Sequence, residues 1–214
     1  MSTERPPTID ALAAARWQQR VVESSAWLHE EVARRMQERL DIIRLQPKAW
    51  AHWEPLHGGL GAQASMTRRY PNATSFMAFS ITKQAQFASK NIATPWWRPA
   101  YWAGPKTLIQ VPPDGGVQML WANMLLHHAT DPLALMARWH RALAVDGFLM
   151  FSCLGPDTLR ELRALYAEAG WGWPSHEFTD MHDWGDMLVA AGFAEPVMDM
   201  ERITLTFESP VRLL

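Results

Sequence analysis

The chain is poor in sulfur chemistry: one cysteine, Cys153, stands in 214 residues. That excludes an intramolecular disulfide and any zinc site built from several thiolates. Its setting, FLMFSCL, reads as a buried strand, so an inert core thiol is expected there. No run of about 18 apolar residues occurs. The start, MSTERPPTIDALAAARWQQR, has no apolar stretch behind its charges. A cytoplasmic protein without a membrane segment is the expectation. Basic surplus is also missing, since 20 Lys and Arg oppose 22 Asp and Glu for a net charge of -2. This argues against a nucleic-acid partner, whose phosphates call for a cationic surface. No internal repeat and no metal-ligand cluster stand out.

Tryptophan, by contrast, is abundant at 12 residues. Several lie in TPWWRPAYWAGP, Thr94 to Pro105, where prolines and a glycine deny a regular helix. The segment reads as an irregular loop packed on the core, or as an aromatic wall beside a pocket or a protein partner. With 48% hydrophobic residues the chain can bury one core, and a single domain over 1–214 is the simplest organisation. It divides into an N-terminal helical segment, 1–46, and an α/β core, 47–214.

In the first part, SAWLHEEVARRMQERLDIIRL places Leu28, Val32, Met36, Leu40 and Ile43 on one face at spacings of three and four. Ser24 or Ser25 is the expected cap and Pro47 the expected stop. After Pro47 short apolar runs alternate with helical stretches. AWAHW, TSFMAFS, KTLIQV, VQMLWANML and FLMFSCL read as strands, with a last strand in PVMDMERITLTF. Helices are expected in GAQASMTRRY, TKQAQFASK, the stretch after Asp131-Pro132, DTLRELRALYAEAG and MHDWGDMLVAAGF. Asp157 and Thr158 are the expected cap of the fourth. Apolar strands without period-two polarity are covered on both faces, so the fold class is α/β, a doubly wound Rossmann-like sheet with helices on both sides.

Such sheets bind ligands at the carboxyl ends of their strands, with a glycine turn after the first strand as the cradle. WEPLHGGLGAQ, Trp53 to Gln63, carries Gly59 and Gly61 at that place. Glycine clusters are common in loops, and the residues alone leave the ligand open.

The second half is more specific. FSCLGPDTLREL (Phe151 to Leu162) and DMHDWGDMLVAAGFAEPVMDME (Asp180 to Glu201) closely resemble the malonyl-acyl-carrier-protein O-methyltransferases of biotin synthesis, as does the helix LHEEVARRMQERLDIIRLQP. The resemblance implies a class I methyltransferase fold, S-adenosylmethionine (SAM) as cofactor and malonyl-acyl carrier protein as partner. It also implies that the C-terminal part, from TFESPVRLL onward, is truncated relative to the family. The cofactor-binding positions it points to are Glu54, His57, Gly59, Gly61, Ser80 and Asn123.

Several of these depart from the family pattern Asp-x-Gly-x-Gly-x-Gly. With the last two glycines on Gly59 and Gly61, Pro55 takes the acidic position, His57 takes the first glycine, and Glu54 is one residue out of register. An imidazole at His57 is expected to intrude on the cofactor. Ser80 replaces the acidic residue that would hold the ribose, and Gln110 with two prolines replaces the adenine-side acid. Asn123 keeps one wall of the transfer site, while Val22-Glu23 replaces a covering Tyr-Asp pair. Each lost hydrogen bond to a charged group weakens binding by roughly 1.5–3 kcal/mol, so losing two lowers affinity about 10²- to 10⁴-fold.

Carboxylate methylation needs alignment and exclusion of water rather than a strong base, so no catalytic side chain is assigned. The implied function is a methyltransferase-like pseudoenzyme with a degenerate SAM site and reduced or no activity. Two other readings stay open: an active O-methyltransferase on a malonyl thioester or other small acid, and a non-catalytic binding protein on the same scaffold. His127 and His128 are expected to point in different directions with structural roles. His182 and Asp183 are expected to shape a helix entry. The arginines Arg34, Arg35, Arg39 and Arg44 are expected mostly to line a solvated helix face, although such a face could steer an acidic carrier protein.

Overall fold

A computed structural model describes residues 9–20, 25–91 and 106–213. The tryptophan-rich segment from Thr94 to Pro105, the Val22-Glu23 pair and Ser24 lie outside the described residues. Five parallel strands form one sheet: β1 Ala49–Trp53, β2 Thr74–Ala78, β3 Thr107–Leu108, β4 Val117–Ala122 and β5 Leu143–Phe151. Their order is β3-β2-β1-β4-β5, with β1 pairing β2 on one side and β4 on the other. The chain therefore winds outward from β1 to β3, then returns to start again at β4. The doubly wound class is borne out, and the switch in order opens a crevice at the carboxyl ends of β1 and β4.

The strands are apolar on both faces because both faces are covered. Ala51, Trp53, Leu120 and Ala122 pack with Met136, Trp139, Trp184 and Leu188. These come from α6 (Pro132–Ala142) and α8 (Met181–Ala190). On the other face Trp50, Met119 and Trp121 meet Ala33, Met36, Ala62 and Met66, which belong to α2 (Trp27–Arg39) and α4 (Leu60–Arg69). Full burial of each such large side chain contributes about 1.5–3 kcal/mol, so the two layers fix the sheet firmly. The remaining helices among the described residues are α1 (Ala11–Gln18), α3 (Pro55–Gly58), α5 (Thr82–Asn91), α7 (Arg160–Glu168) and α9 (Pro210–Leu213).

Within the second face runs a buried polar ladder. His52 Nδ1 meets Gln63 Oε1 at 3.2 Å, Gln63 Nε2 donates to Ser75 Oγ at 3.2 Å, and Ser75 Oγ meets Thr107 Oγ1 at 2.8 Å. It ties α4 to β1, β2 and β3 below the crevice. His52 is fully buried, and desolvation pushes its pKa down to about 4, against the opposing hydrogen bond from Gln63.

Several local expectations change. Ser25 does not cap α2, whose N-cap is Ala26 without a side-chain bond; it reaches across to α4 instead. Helix α2 ends at Arg39 in a short 3-10 turn, Leu40–Ile42, well before Pro47. KTLIQV shrinks to the two residues of β3. β5 starts at Leu143, earlier than expected, and passes Asp146 at φ 62 where the pairing with β4 shifts register. It is half-buried rather than covered on both faces. Asp157 and Thr158 do not cap α7, whose N-cap is Leu159 in a left-handed conformation; Asp157 accepts from Arg202 at 2.6 Å. The stretch 196–207 forms no strand. Ion pairs hold it instead, Asp199 and Glu201 meeting Arg39 and Glu201 meeting Arg35.

Candidate functional site

The crevice contains a cavity of about 260 Å³ lined by Trp53, Glu54, His57, Ser80, Gln84 and Arg138, with Trp17 closing it from α1. Three of the residues singled out in the sequence, Glu54, His57 and Ser80, meet here. Gly59, Gly61 and Asn123 do not line it.

Glu54 directly follows β1 and adopts φ 51. It is buried, at 6% exposure, and its Oε1 accepts the Ser80 N–H at 2.5 Å. Desolvation raises its pKa, with the Ser80 hydrogen bonds and the Arg138 charge acting the other way. The one-residue displacement expected from the alignment thus still delivers an acid to the strand end. Its carboxylate, however, braces the end of β2. The side chain of Ser80 supplies no carboxylate in return.

Pro55 begins the one-turn helix α3, which fills the space between β1 and the glycines. His57 therefore packs inward, at 5% exposure. Its ring stacks on Trp17 at 4.2 Å, and the other face of the stack belongs to His128 at 4.0 Å from Trp17. Burial lowers the His57 pKa, assisted by the charge of His29 and opposed by the Arg20 carbonyl. His127 and His128 do not diverge as expected, because both sit in the 3-10 turn Leu126–His128 with ring centroids 4.0 Å apart. Burial lowers both, His128 to about 4. Among the described residues no group of three His, Cys, Asp or Glu is placed to hold a metal.

Helix α1 is pinned over the cavity by Gln84, whose Nε2 donates to the Gln18 carbonyl at 2.5 Å and the Arg20 carbonyl at 3.3 Å. Gln84 is 1% exposed, and its Oε1 has no partner. Trp17 and Gln84 escaped the sequence reading; only the amphipathic ALAAARWQ hinted that α1 would dock.

The glycine turn itself is covered by α2. Gly61 N–H donates to Glu30 Oε1 at 3.0 Å, and Leu60 N–H donates to Ser25 Oγ at 2.8 Å. His29 Nδ1 lies 2.5 Å from the His57 carbonyl oxygen. Gly59 has φ 111, a conformation that favours glycine. Gly58, passed over in the sequence, is the tighter constraint, since a Cβ there would stand 2.9 Å from the Asn123 carbonyl oxygen. Asn123 is fully buried. Its Nδ2 donates to the carbonyls of Gly58 and His29, and its Oδ1 accepts from Ser152 Oγ at 2.7 Å. Instead of forming a free wall of a transfer site, it welds β4, the glycine turn and α2 together.

Similarity to known proteins fits this geometry. The chain is 40% identical over 192 residues to the malonyl-acyl-carrier-protein O-methyltransferase of Laribacter hongkongensis, covering 86% of this chain and 63% of that one. The protein of the same name from Gallionella capsiferriformans is 39% identical over 193 residues, with 87% and 65% covered. By sequence, the chain is a relative of the malonyl-acyl-carrier-protein O-methyltransferases. It spans just under two thirds of the length of these relatives. No family model matches the chain. Among solved structures, PigF with SAH superposes with a TM-score of 0.58 at 13% identity, covering 87% of this chain and 55% of that one. A chain from the complex of the Haloferax volcanii Trm112 methyltransferase activator with its putative methyltransferase gives 0.52 at 12% identity, with 88% and 77% covered. Those likenesses establish the fold.

Several of the remaining sequence candidates have structural partners. Asp180, one turn ahead of Asp183, accepts the His182 N–H at 2.9 Å and starts α8, so DMHDWGD shapes a helix entry. Arg34, Arg35 and Arg39 are paired with Glu31, Glu38, Asp199 and Glu201. That leaves them poorly placed to steer an acidic partner. Burial pushes the Cys153 thiol up to about 12, in keeping with an inert group. No helix among the described residues is long and apolar enough to cross a membrane.

Proposed function

We propose that this chain is a methyltransferase-like member of the family whose SAM site is impaired. Methyl transfer to a malonyl group on a carrier protein, the acceptor named for its relatives, is then slow or absent. The observation that carries this reading is the occupation of the glycine turn: Ser25 and Glu30 already accept the Leu60 and Gly61 N–H groups.

SAM fits the residues present poorly. Its amino-acid carboxylate calls for free backbone N–H groups or a cation, yet Glu30 brings a second carboxylate to the turn. Its ribose hydroxyls call for an acidic acceptor at the end of β2, where Ser80 stands. The cavity of about 260 Å³ falls below the roughly 300–1,000 Å³ usual for ligand pockets.

Titration calorimetry with SAM is expected to give no saturable binding below about 100 μM, since loss of two anchoring hydrogen bonds weakens a micromolar site about 10²-fold or more. Labelled SAM with malonyl-carrier protein is expected to yield no methyl ester above background. Micromolar SAM binding together with ester formation would establish the active O-methyltransferase instead. Absence of both, with a retained carrier-protein complex, would favour the non-catalytic binding protein.

A further inference from the structure

A carboxylate of the chain's own is seated on the glycine turn beside the crevice. The first N–H groups of α4 have no intrahelical partner, and the partial positive charge of the helix end favours an anion there. Glu30 supplies that anion from α2. Its Oε1 lies 3.0 Å from the Gly61 nitrogen, and its carboxylate oxygens would stand 3.4 and 2.4 Å from a Cβ at Gly59 and Gly61 respectively. A carboxylate of this chain thus presses against the bare face of both glycines. Ser25 completes the occupation at Leu60.

The neighbouring cavity is lined by Gln84 and His57, whose buried Oε1 and Nε2 atoms have no partner. Glu54 adds a carboxylate, while Arg138 sits over the Trp53 ring at 5.1 Å. The cavity therefore offers polar groups, aromatic faces and a guanidinium, and the Leu60 and Gly61 N–H groups next to it are taken.

We propose that Glu30 is a specificity-determining residue: it stands in for the carboxylate of an amino-acid-bearing ligand, so that the site discriminates against nucleoside thioethers with an amino-acid tail and admits those without one. This rests on the impaired-site reading above and names its cause. A second carboxylate brought near Glu30 meets like-charge repulsion and finds the Leu60 and Gly61 N–H groups taken, whereas a tail-less ligand meets neither obstacle.

The test uses S-adenosylhomocysteine and 5′-methylthioadenosine, which share the nucleoside thioether and differ in the amino-acid end. Calorimetry on the wild type, Glu30→Gln and Glu30→Ala is accompanied by thermal unfolding to confirm that the variants fold. The expected result is at least a tenfold tighter dissociation constant for S-adenosylhomocysteine in Glu30→Ala, a smaller gain in Glu30→Gln, and less than a twofold change for methylthioadenosine in either. Equal factors for the two probes, or no change for either, overturn the proposal. Failure of both probes to bind any variant also overturns it and leaves the impaired-site reading standing. Micromolar binding of S-adenosylhomocysteine by the wild type that still gains tenfold in Glu30→Ala overturns the impairment alone.

Discussion

Three residues hold the crevice together: Gly58, Glu54 and Asn123. Gly58 is set by contact rather than by conformation, because any side chain there runs into the Asn123 carbonyl. Gly58→Ala is expected to destabilise by about 1–3 kcal/mol, the usual range for overpacking. Gly155→Ala, where a Cβ meets nothing within 4 Å, should change stability by less than about 0.5 kcal/mol. Urea denaturation of both variants checks the contrast, and equal effects would remove the contact argument. Asn123→Leu leaves the Gly58 and His29 carbonyls without their donor, and unsatisfied buried groups cost about 1–3 kcal/mol each. A loss above about 2 kcal/mol is expected from the same experiment. Of these residues, Asn123 was legible in the sequence by its place after β4, but its task was not. Nothing in LWANML reveals that both ends of the amide are already bonded.

At the scale of elements, the strands and most helices were readable because their periodicity reports burial directly. AWAHW matches β1 residue for residue, and Asp131-Pro132 opens α6 as expected, with Asp131 accepting the Ala134 N–H at 2.9 Å. The failures lie where a tertiary partner decides. PVMDMERITLTF has strand composition but no ladder in the described fold, and it is held by side-chain ion pairs instead. α1 is the clearest element that sequence could not place. It is eight residues long, too short to persist alone in water, so its order depends on Trp17 between two imidazoles and on Gln84. Trp17→Ala is expected to raise amide exchange across residues 11–18 by at least tenfold while leaving β1 and β4 protected. Hydrogen exchange read by mass spectrometry checks this, and unchanged protection in α1 would show that the stack is not what holds the helix. Arg39→Ala, in contrast, removes a partly exposed ion pair and should cost at most about 1 kcal/mol, measured by thermal unfolding.

For the molecule as a whole, buried histidines set the response to pH. His52 and His128 ordinarily titrate near 6.5 and are held at about 4 in the fold, in both cases chiefly by desolvation. A lowered folded value means that the unfolded chain binds protons first as pH falls. The stabilisation is therefore fully present above about 6.5 and is lost progressively down to about 4. A one-unit shift corresponds to 1.36 kcal/mol, so fully buried His52 alone contributes on the order of 3 kcal/mol to that loss. Glu54, whose value is raised by burial, acts in the opposite sense as it protonates. Urea unfolding free energies at pH 7.5, 6 and 4.5 should fall steadily, and a flat profile would show that these imidazoles are solvated.

Sequence by itself determined the layered α/β fold, the position of the crevice and the likeness to the O-methyltransferases, because alternation of apolar runs and long motif matches are local or additive signals. Tertiary structure alone decided what the crevice holds. The glycine turn, the α2 carboxylate and the α1 tryptophan are separated by tens of residues, and no local pattern encodes that Glu30 reaches the Gly61 amide. Competition between a chain's own groups and a ligand is settled by distance and desolvation in the folded state.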